Sequence, residues 1–247
     1  MYFLRYLPRT LLTWLVGLIV TVIASAAVIV LSRFSPTSPM IEKVAQSWSR
    51  SWLAAAGVTI DVRANEDLDR GRSYVVVANH VSNLDIMACF LAVPVPIRFL
   101  AKKELFRVPI LSSAMKAIGI VSVDRQSRGA TYEQINSRAK SLVAAGRSLI
   151  IYPEGTRSRR GELGSFKKGA FTMAITGRLP VLPVTIHGTY RAWPPSSLWV
   201  RGGHVTVIVD TPLETNGLTR ADTSRLRDQT REVIERHLGE LSGVSQS

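Results

Sequence analysis

The chain opens on an apolar run and then shifts to an alternating pattern. Residues 11–31 carry no charge. At about 1.5 Å per residue such a helix reaches roughly 30 Å, close to the thickness of a bilayer core. Arg5 and Arg9 precede it and Arg33 follows. Ala24-Ser25-Ala26 has the form of a signal-peptidase site, but the apolar run continues to Leu31. It is longer than the roughly 7–15 residues of a signal core, so a retained anchor is expected. Ser35-Pro36-Thr37-Ser38-Pro39 breaks the chain. A second helix is predicted after it, with Ser38 as cap, Pro39 in the first turn and Gly57 as the stop. Ile41, Val44, Ala45, Trp48, Trp52 and Ala55 recur at helical spacing. This helix reads equally as one lying in a membrane interface or as one packed on a folded domain.

From residue 58 the pattern becomes that of a globular domain. β-Branched runs at residues 58–62, 74–78, 120–123, 149–152, 181–186 and 205–209 predict strands. Helical periodicity fills residues 84–91, 110–117, 131–145 and 165–176, and a charged amphipathic helix is expected over 222–241. The alternation predicts an α/β fold: a largely parallel central sheet flanked by helices, preceded by an N-terminal membrane-associated helical segment. The expected division is an anchor and interfacial helix over residues 1–57 and one domain over 58–247.

Charge sharpens this picture. The 247 residues hold 31 Lys and Arg against 18 Asp and Glu. Residues 98–178 alone contain 16 basic and five acidic side chains. A local excess of this size suits a phosphate-bearing ligand or an anionic membrane surface, although a solvated basic face would look the same. No helix-turn-helix, zinc-finger or RNP signature accompanies it, so no nucleic-acid partner is expected. One cysteine, Cys89, excludes an intrachain disulfide or a multi-cysteine metal site. The four histidines lack paired-ligand spacing, no metal site is expected, and no phosphate-binding P-loop occurs.

Two segments could carry chemistry. Asn79-His80-Val81-Ser82-Asn83-Leu84-Asp85 follows an apolar strand and precedes a helix, where ligands bind in open α/β sheets. On one continuous helix His80 and Asp85 would lie about 140° apart. They meet only if His80 sits in the turn and Asp85 in the first helical turn, with Ser82 or Asn83 as cap. A carboxylate could then hold one imidazole nitrogen and leave the other to take a proton. The second segment, Tyr152-Pro153-Glu154-Gly155-Thr156-Arg157-Ser158, also ends a strand. Gly155 permits a tight turn, and Arg157 offers a planar fork for phosphate. Glu154 could orient that arginine or accept from a substrate hydroxyl. Gly119 through Arg125 and Leu179 through Val184 are further strand-end blocks, and neither is informative alone.

In this order and spacing the four blocks resemble the glycerophospholipid acyltransferase superfamily, most closely its bacterial 1-acylglycerol-3-phosphate acyltransferases. The resemblance covers about residues 58–209. It departs slightly at Tyr152, where the family often has Phe. It implies transfer of an acyl group to the sn-2 hydroxyl of 1-acylglycerol-3-phosphate, with His80 as base and Asp85 behind it. Arg125, Glu154, Gly155, Thr156 and Arg157 would form the acceptor site. The implied co-substrate is acyl-CoA or acyl-carrier protein, with no bound cofactor. The implied partners are a lysophospholipid acceptor and membrane lipid. The implied place is the cell inner membrane, with the catalytic domain in the cytoplasm. Another acceptor, such as glycerol-3-phosphate, a lyso-aminolipid or a different lysophospholipid, would leave the same motifs in place. A non-catalytic module binding anionic lipid would account for the charge and the anchor, but not for the placement of His80, Asp85, Glu154 and Arg157.

Overall fold

A computed structural model describes residues 4–123, 141 and 143–244. Among these residues seven strands form one sheet: β1 (Val58–Ala64), β2 (Val75–Ala78), β3 (Ile97–Lys102), β4 (Val121–Val123), β5 (Ser148–Ile151), β6 (Val181–His187) and β7 (Gly203–Val209). Their spatial order is β1-β7-β6-β2-β5-β3-β4. Every neighbouring pair is parallel except β6 and β7. The sheet is therefore mixed and mostly parallel, as the alternation predicts.

Both faces are covered. In β2, Val76 and Ala78 pack with α3 (Asp85–Ala92) and with Trp52, Leu53 and Ala56 at the end of α2 (Pro39–Ala55). Val75 and Val77 point the other way, to Phe171 and Ala174 of α5 (Gly169–Gly177) and Leu226 and Ile234 of α7 (Thr223–Val244). A strand buried on both faces reads as a continuous apolar run, which is why Val75-Val76-Val77-Ala78 shows no alternation. Three further helices among the described residues are α1 (Leu7–Phe34), α4 (Pro109–Ala117) and the single turn α6 (Thr189–Ala192).

Strand β3 was not among the expected strands. Its Arg98 breaks the apolar pattern, yet that side chain is 1% exposed and paired to Glu42 of α2. The helix expected at 165–176 begins only at Gly169, and the Lys167 N–H before it donates to the Pro153 carbonyl at 2.9 Å. The helix expected over 131–145 falls for the most part outside the described residues.

The two N-terminal helices form a hairpin packed against the domain. Ser38 caps α2 through the Met40 N–H at 3.3 Å with Pro39 in its first turn, and Gly57 follows its end at φ +64°. The packed reading of α2 is what the structure shows. Trp52 is 9% exposed inside the main core, and the Trp48 and Trp52 indole N–H groups donate to Thr21 of α1 at 2.9 and 3.2 Å. On α1 the inward stripe is small or polar: Thr10, Thr13, Gly17, Ser25 and Val28 are buried. A Cβ at Gly17 would lie 2.3 Å from the Trp52 ring, so only glycine admits this approach. The large residues Leu11, Leu15, Leu18, Ile19 and Ile23 face outward. That polarity is the reverse of a helix on a water-soluble domain.

Candidate active site

Strands β2 and β5 are parallel neighbours, so their carboxyl ends lie side by side. The segments that follow them, far apart in sequence, therefore meet at the carboxyl end of the sheet. Asn79 pins the first of them. Its side chain donates to the Ile186 carbonyl at 2.9 Å and accepts from the Ile186 N–H at 2.8 Å, extending β2 onto β6.

His80 sits in the turn and Asp85 is the first residue of α3. The His80 Nδ1 to Asp85 Oδ2 distance is 2.7 Å. The same oxygen accepts the Val81 and Ser82 N–H groups at 2.7 and 2.8 Å. A carboxylate folded back on its own turn in this way cannot swing, and Asp85 is wholly buried. Neither expected cap acts as one in full: Ser82 Oγ accepts the Leu84 N–H at 3.2 Å and donates to the Trp193 carbonyl at 2.7 Å, while Asn83 is used elsewhere. Among the described residues nothing is bonded to His80 Nε2, and the ring lines a cavity of about 610 Å³. An imidazole held at one nitrogen by a buried carboxylate can accept a proton at the other.

The ring of Tyr152 lies beneath His80, with centroids 4.0 Å apart and planes inclined by 14°. The sequence marked Tyr152 only as an aromatic position; its place at the end of β5, beside β2, was the signal for this stacking. Burial raises the Tyr152 hydroxyl well above its ordinary pKa, and the hydroxyl points at the Cys89 sulfur 3.8 Å away. Burial likewise pushes the Cys89 thiol up, away from the thiolate form that a nucleophile needs.

Glu154 does not pair with Arg157. One carboxylate oxygen accepts the His80 N–H at 2.7 Å and the other accepts the Gly164 N–H at 3.0 Å. The Ser158 N–H returns to the His80 carbonyl at 2.9 Å. Glu154 thus laces the two loops together, and it does not line the cavity. Gly155 turns at φ +77° with Lys167 lying where a Cβ would be. Thr156 and Arg157 do line the cavity, and Arg157 donates to the side-chain oxygen of Asn83. Asn83 is the positioning partner that the sequence did not indicate. Arg125 lies outside the described residues. Of the basic side chains counted between residues 98 and 178, Arg98 and Arg147 are not free for an anion: both are buried against Glu42, at 2.8 and 3.0 Å.

Burial raises the Glu154 pKa, and the two N–H groups only partly offset it. A carboxyl that holds its proton more tightly folded than unfolded stabilises the fold fully below its unfolded value, about 4.3, and loses that contribution as pH rises through the folded pKa. Glu154→Gln removes the titration. The difference in unfolding free energy, wild type minus Glu154→Gln, should fall as pH is raised from about 4 to 7. Denaturant titrations across that range measure it, and a flat difference would contradict the assignment.

The profile of the Acyltransferase family matches residues 59–187, slightly more than half of the chain. The chain belongs to the acyltransferase family. The match runs from β1 to the end of β6 and so includes both loops of the site. The crystal structure of the 1-acyl-sn-glycerophosphate (LPA) acyltransferase PlsC from Thermotoga maritima aligns with a TM-score of 0.85 at 27% identity. That alignment covers 98% of each chain, N-terminal hairpin included. Human 1-acyl-sn-glycerol-3-phosphate acyltransferase beta is 30% identical over 84% of this chain and 75% of its own length. The Borreliella burgdorferi protein of the same activity is 30% identical over 74% of each chain. Coconut 1-acyl-sn-glycerol-3-phosphate acyltransferase is 33% identical, but this chain spans only 52% of its length. A chloroplast relative from Brassica napus is matched over 40% of its length.

Proposed function

We propose that this acyltransferase moves an acyl group from a thioester, acyl-CoA or acyl-carrier protein, to the sn-2 hydroxyl of 1-acylglycerol-3-phosphate, giving phosphatidic acid. The observation that carries this reading is the 2.7 Å contact between His80 and Asp85 on the wall of a cavity that Arg157 also lines. The acceptor oxygen attacks the thioester carbonyl carbon as His80 Nε2 takes the hydroxyl proton. The C–S bond then breaks, and the leaving thiolate receives that proton from the imidazolium. Asp85 stabilises the imidazolium between the two steps. The acceptor is itself the nucleophile, so no acyl-enzyme is needed, and the protonated Cys89 takes no part.

Arg157 supplies the charge for the acceptor phosphate. Arg157→Ala should reduce kcat/KM for 1-acylglycerol-3-phosphate by about 1.5–3 kcal/mol, roughly 10- to 150-fold, mostly through KM. An acceptor without phosphate should show no such loss. Steady-state kinetics with the paired acceptors measure the difference, and an equal loss on both would remove Arg157 from the phosphate site.

The membrane seat follows from α1. Residues 4–34 have a mean hydropathy of 2.7 in their most apolar window, and only 17% of that window is buried. Contacts with the domain run along the helix, from Thr10, which accepts the Val200 N–H, to Val28 beside Ala114 of α4. A helix crossing the bilayer in this arrangement would drag polar elements into hydrocarbon, so α1 lies along one leaflet with its outward face in the acyl layer. An apolar cavity of about 570 Å³ between α1 and the start of α4 shares Ile86, Phe99 and Leu105 with the His80 chamber. The two cavities adjoin across these three side chains, which places the chamber next to the lipid-facing side. Because the thioester donors are cytosolic, the domain faces the cytoplasm of the inner membrane.

A panel of purified lysophospholipids, glycerol-3-phosphate and a lyso-aminolipid, each with acyl-CoA and acyl-carrier protein, tests the assignment. Highest kcat/KM for 1-acylglycerol-3-phosphate is expected. Preference for another acceptor would move the protein within the family.

A further inference from the structure

A leucine-tipped turn stands on the rim of the chamber, and neither the chemistry nor the helical hairpin accounts for it. It runs from Pro194 to Trp199, between α6 and β7, and Leu198 at its tip is 74% exposed. The turn is braced from within. The Ser197 N–H donates to the Pro194 carbonyl at 3.1 Å, and the Trp193 indole N–H donates to the Ser197 carbonyl at 2.9 Å. Ser197 Oγ accepts the Trp199 N–H at 3.0 Å and donates to the Trp199 carbonyl at 3.2 Å. These bonds fix the shape of the turn and hold Leu198 at its tip.

The base of the turn is fixed to the lipid-facing helix. Trp193 meets the half-exposed Trp14 edge-on with centroids 5.3 Å apart, the Val200 N–H donates to Thr10 at 3.0 Å, and Arg9 donates to the Arg201 carbonyl. Leu198 is thereby carried beside the N-terminal third of α1, where Leu11 and Leu15 are each 60% exposed. Arg201, also exposed, follows within three residues of Leu198 and offers a cation to an anionic headgroup. Pro195 and Ser196 of the same turn line the His80 chamber.

We infer that the Pro194–Trp199 turn is a second membrane contact, with Leu198 inserting into the acyl–headgroup boundary of an anionic bilayer beside α1. It extends the apolar face of α1 around the chamber, and so holds the chamber mouth on the surface from which a membrane-borne acceptor arrives. This rests on the membrane seat proposed for α1, and the test separates the two. Cys89 is buried, so a single introduced cysteine can be labelled selectively. Leu198→Cys, Leu15→Cys and, as a remote control on α7, Glu235→Cys would each carry a polarity-sensitive fluorophore. Vesicles of phosphatidylcholine and phosphatidylglycerol, with and without brominated acyl chains, are then added to the full chain. The expected result is a blue shift and quenching at positions 198 and 15, and neither at 235. A response at 15 with none at 198 overturns the second contact and leaves the α1 seat standing; silence at both overturns both.

A kinetic arm uses Leu198→Asp. Turnover of acceptor embedded in vesicles should fall about tenfold or more, the size expected when one buried leucine contact is lost. Turnover of a short-chain acceptor free in solution should stay within about twofold, as for an ordinary surface change. An equal loss on both acceptors would assign the turn to the chamber itself and overturn the inference.

Discussion

His80→Ala should lower kcat by about 10²–10⁴-fold while leaving the protein folded. The size follows from what the side chain does in the proposed reaction. An alcohol is a weak nucleophile near neutral pH, and the group that removes its proton in the transition state supplies a factor of that order. The fold should tolerate the change because Asp85 keeps two donors, the Val81 and Ser82 N–H groups, after the imidazole is gone. His80 is itself partly exposed at the cavity wall, so its removal opens space to solvent and leaves no sealed void. Release of free thiol from acyl-CoA, followed in parallel with circular dichroism and thermal unfolding, gives the answer. A correctly folded variant retaining more than about a tenth of wild-type kcat would mean that another group takes the proton. Loss of activity together with loss of the folded state would instead make His80 a structural element of the turn.

The part of this site that was legible in the sequence is the part written in short strand-end motifs. His80 and Asp85 lie five positions apart around a turn, and one loop suffices to bring them together. Thr156 and Arg157 follow from the next such loop. Tertiary arrangement hid the rest. The role of Glu154 depends on β5 being the neighbour of β2, which no local pattern states, so its carboxylate reads as a partner for Arg157 when it in fact accepts two backbone N–H groups. Asn83 was hidden for the same reason, because its partner lies on the adjoining loop.

The fold was legible where period and burial agree. The two-sided strands β2 and β6 and the capped start of α2 are of this kind. Legibility failed where a charge is buried: Arg98 disguised β3. It also failed at α1, whose hydropathy predicts a membrane helix but does not say which side faces the protein. The small and polar stripe at Thr10, Thr13, Gly17, Thr21 and Ser25 carries that information at helical spacing, and its meaning emerges only once Trp48 and Trp52 are seen to fill it.

Glu42→Ala should destabilise the fold by about 3–5 kcal/mol, the cost of stripping a buried charge of its partner. Two buried guanidiniums converge on this one carboxylate. Arg98 binds it through both terminal nitrogens at 2.8 and 3.1 Å, and Arg147 reaches it at 3.0 Å. Arg98 has further acceptors in the Ile118 and Ile97 carbonyls, at 2.6 and 2.7 Å. Arg147 is worse placed: its second terminal nitrogen is buried with no partner, and burial followed by the nearby Arg98 charge lowers its pKa. Without Glu42 the two cations would repel each other with no anion between them. The effect should reach beyond the triad, because Glu42 belongs to α2 while Arg98 and Arg147 lie at the amino ends of β3 and β5, and the ion pairs tie the helical hairpin to the domain. For a chain of this length the loss corresponds to a drop in Tm of about 6–20 °C. Replacing all three together by Glu42→Leu, Arg98→Met and Arg147→Met should recover most of the stability, since a buried ion cluster is seldom better than well-packed apolar residues. Urea unfolding of the single and triple variants measures both effects. A Glu42→Ala protein within about 1 kcal/mol of wild type would show that water already reaches the guanidiniums and that the hairpin is held by its apolar seam alone.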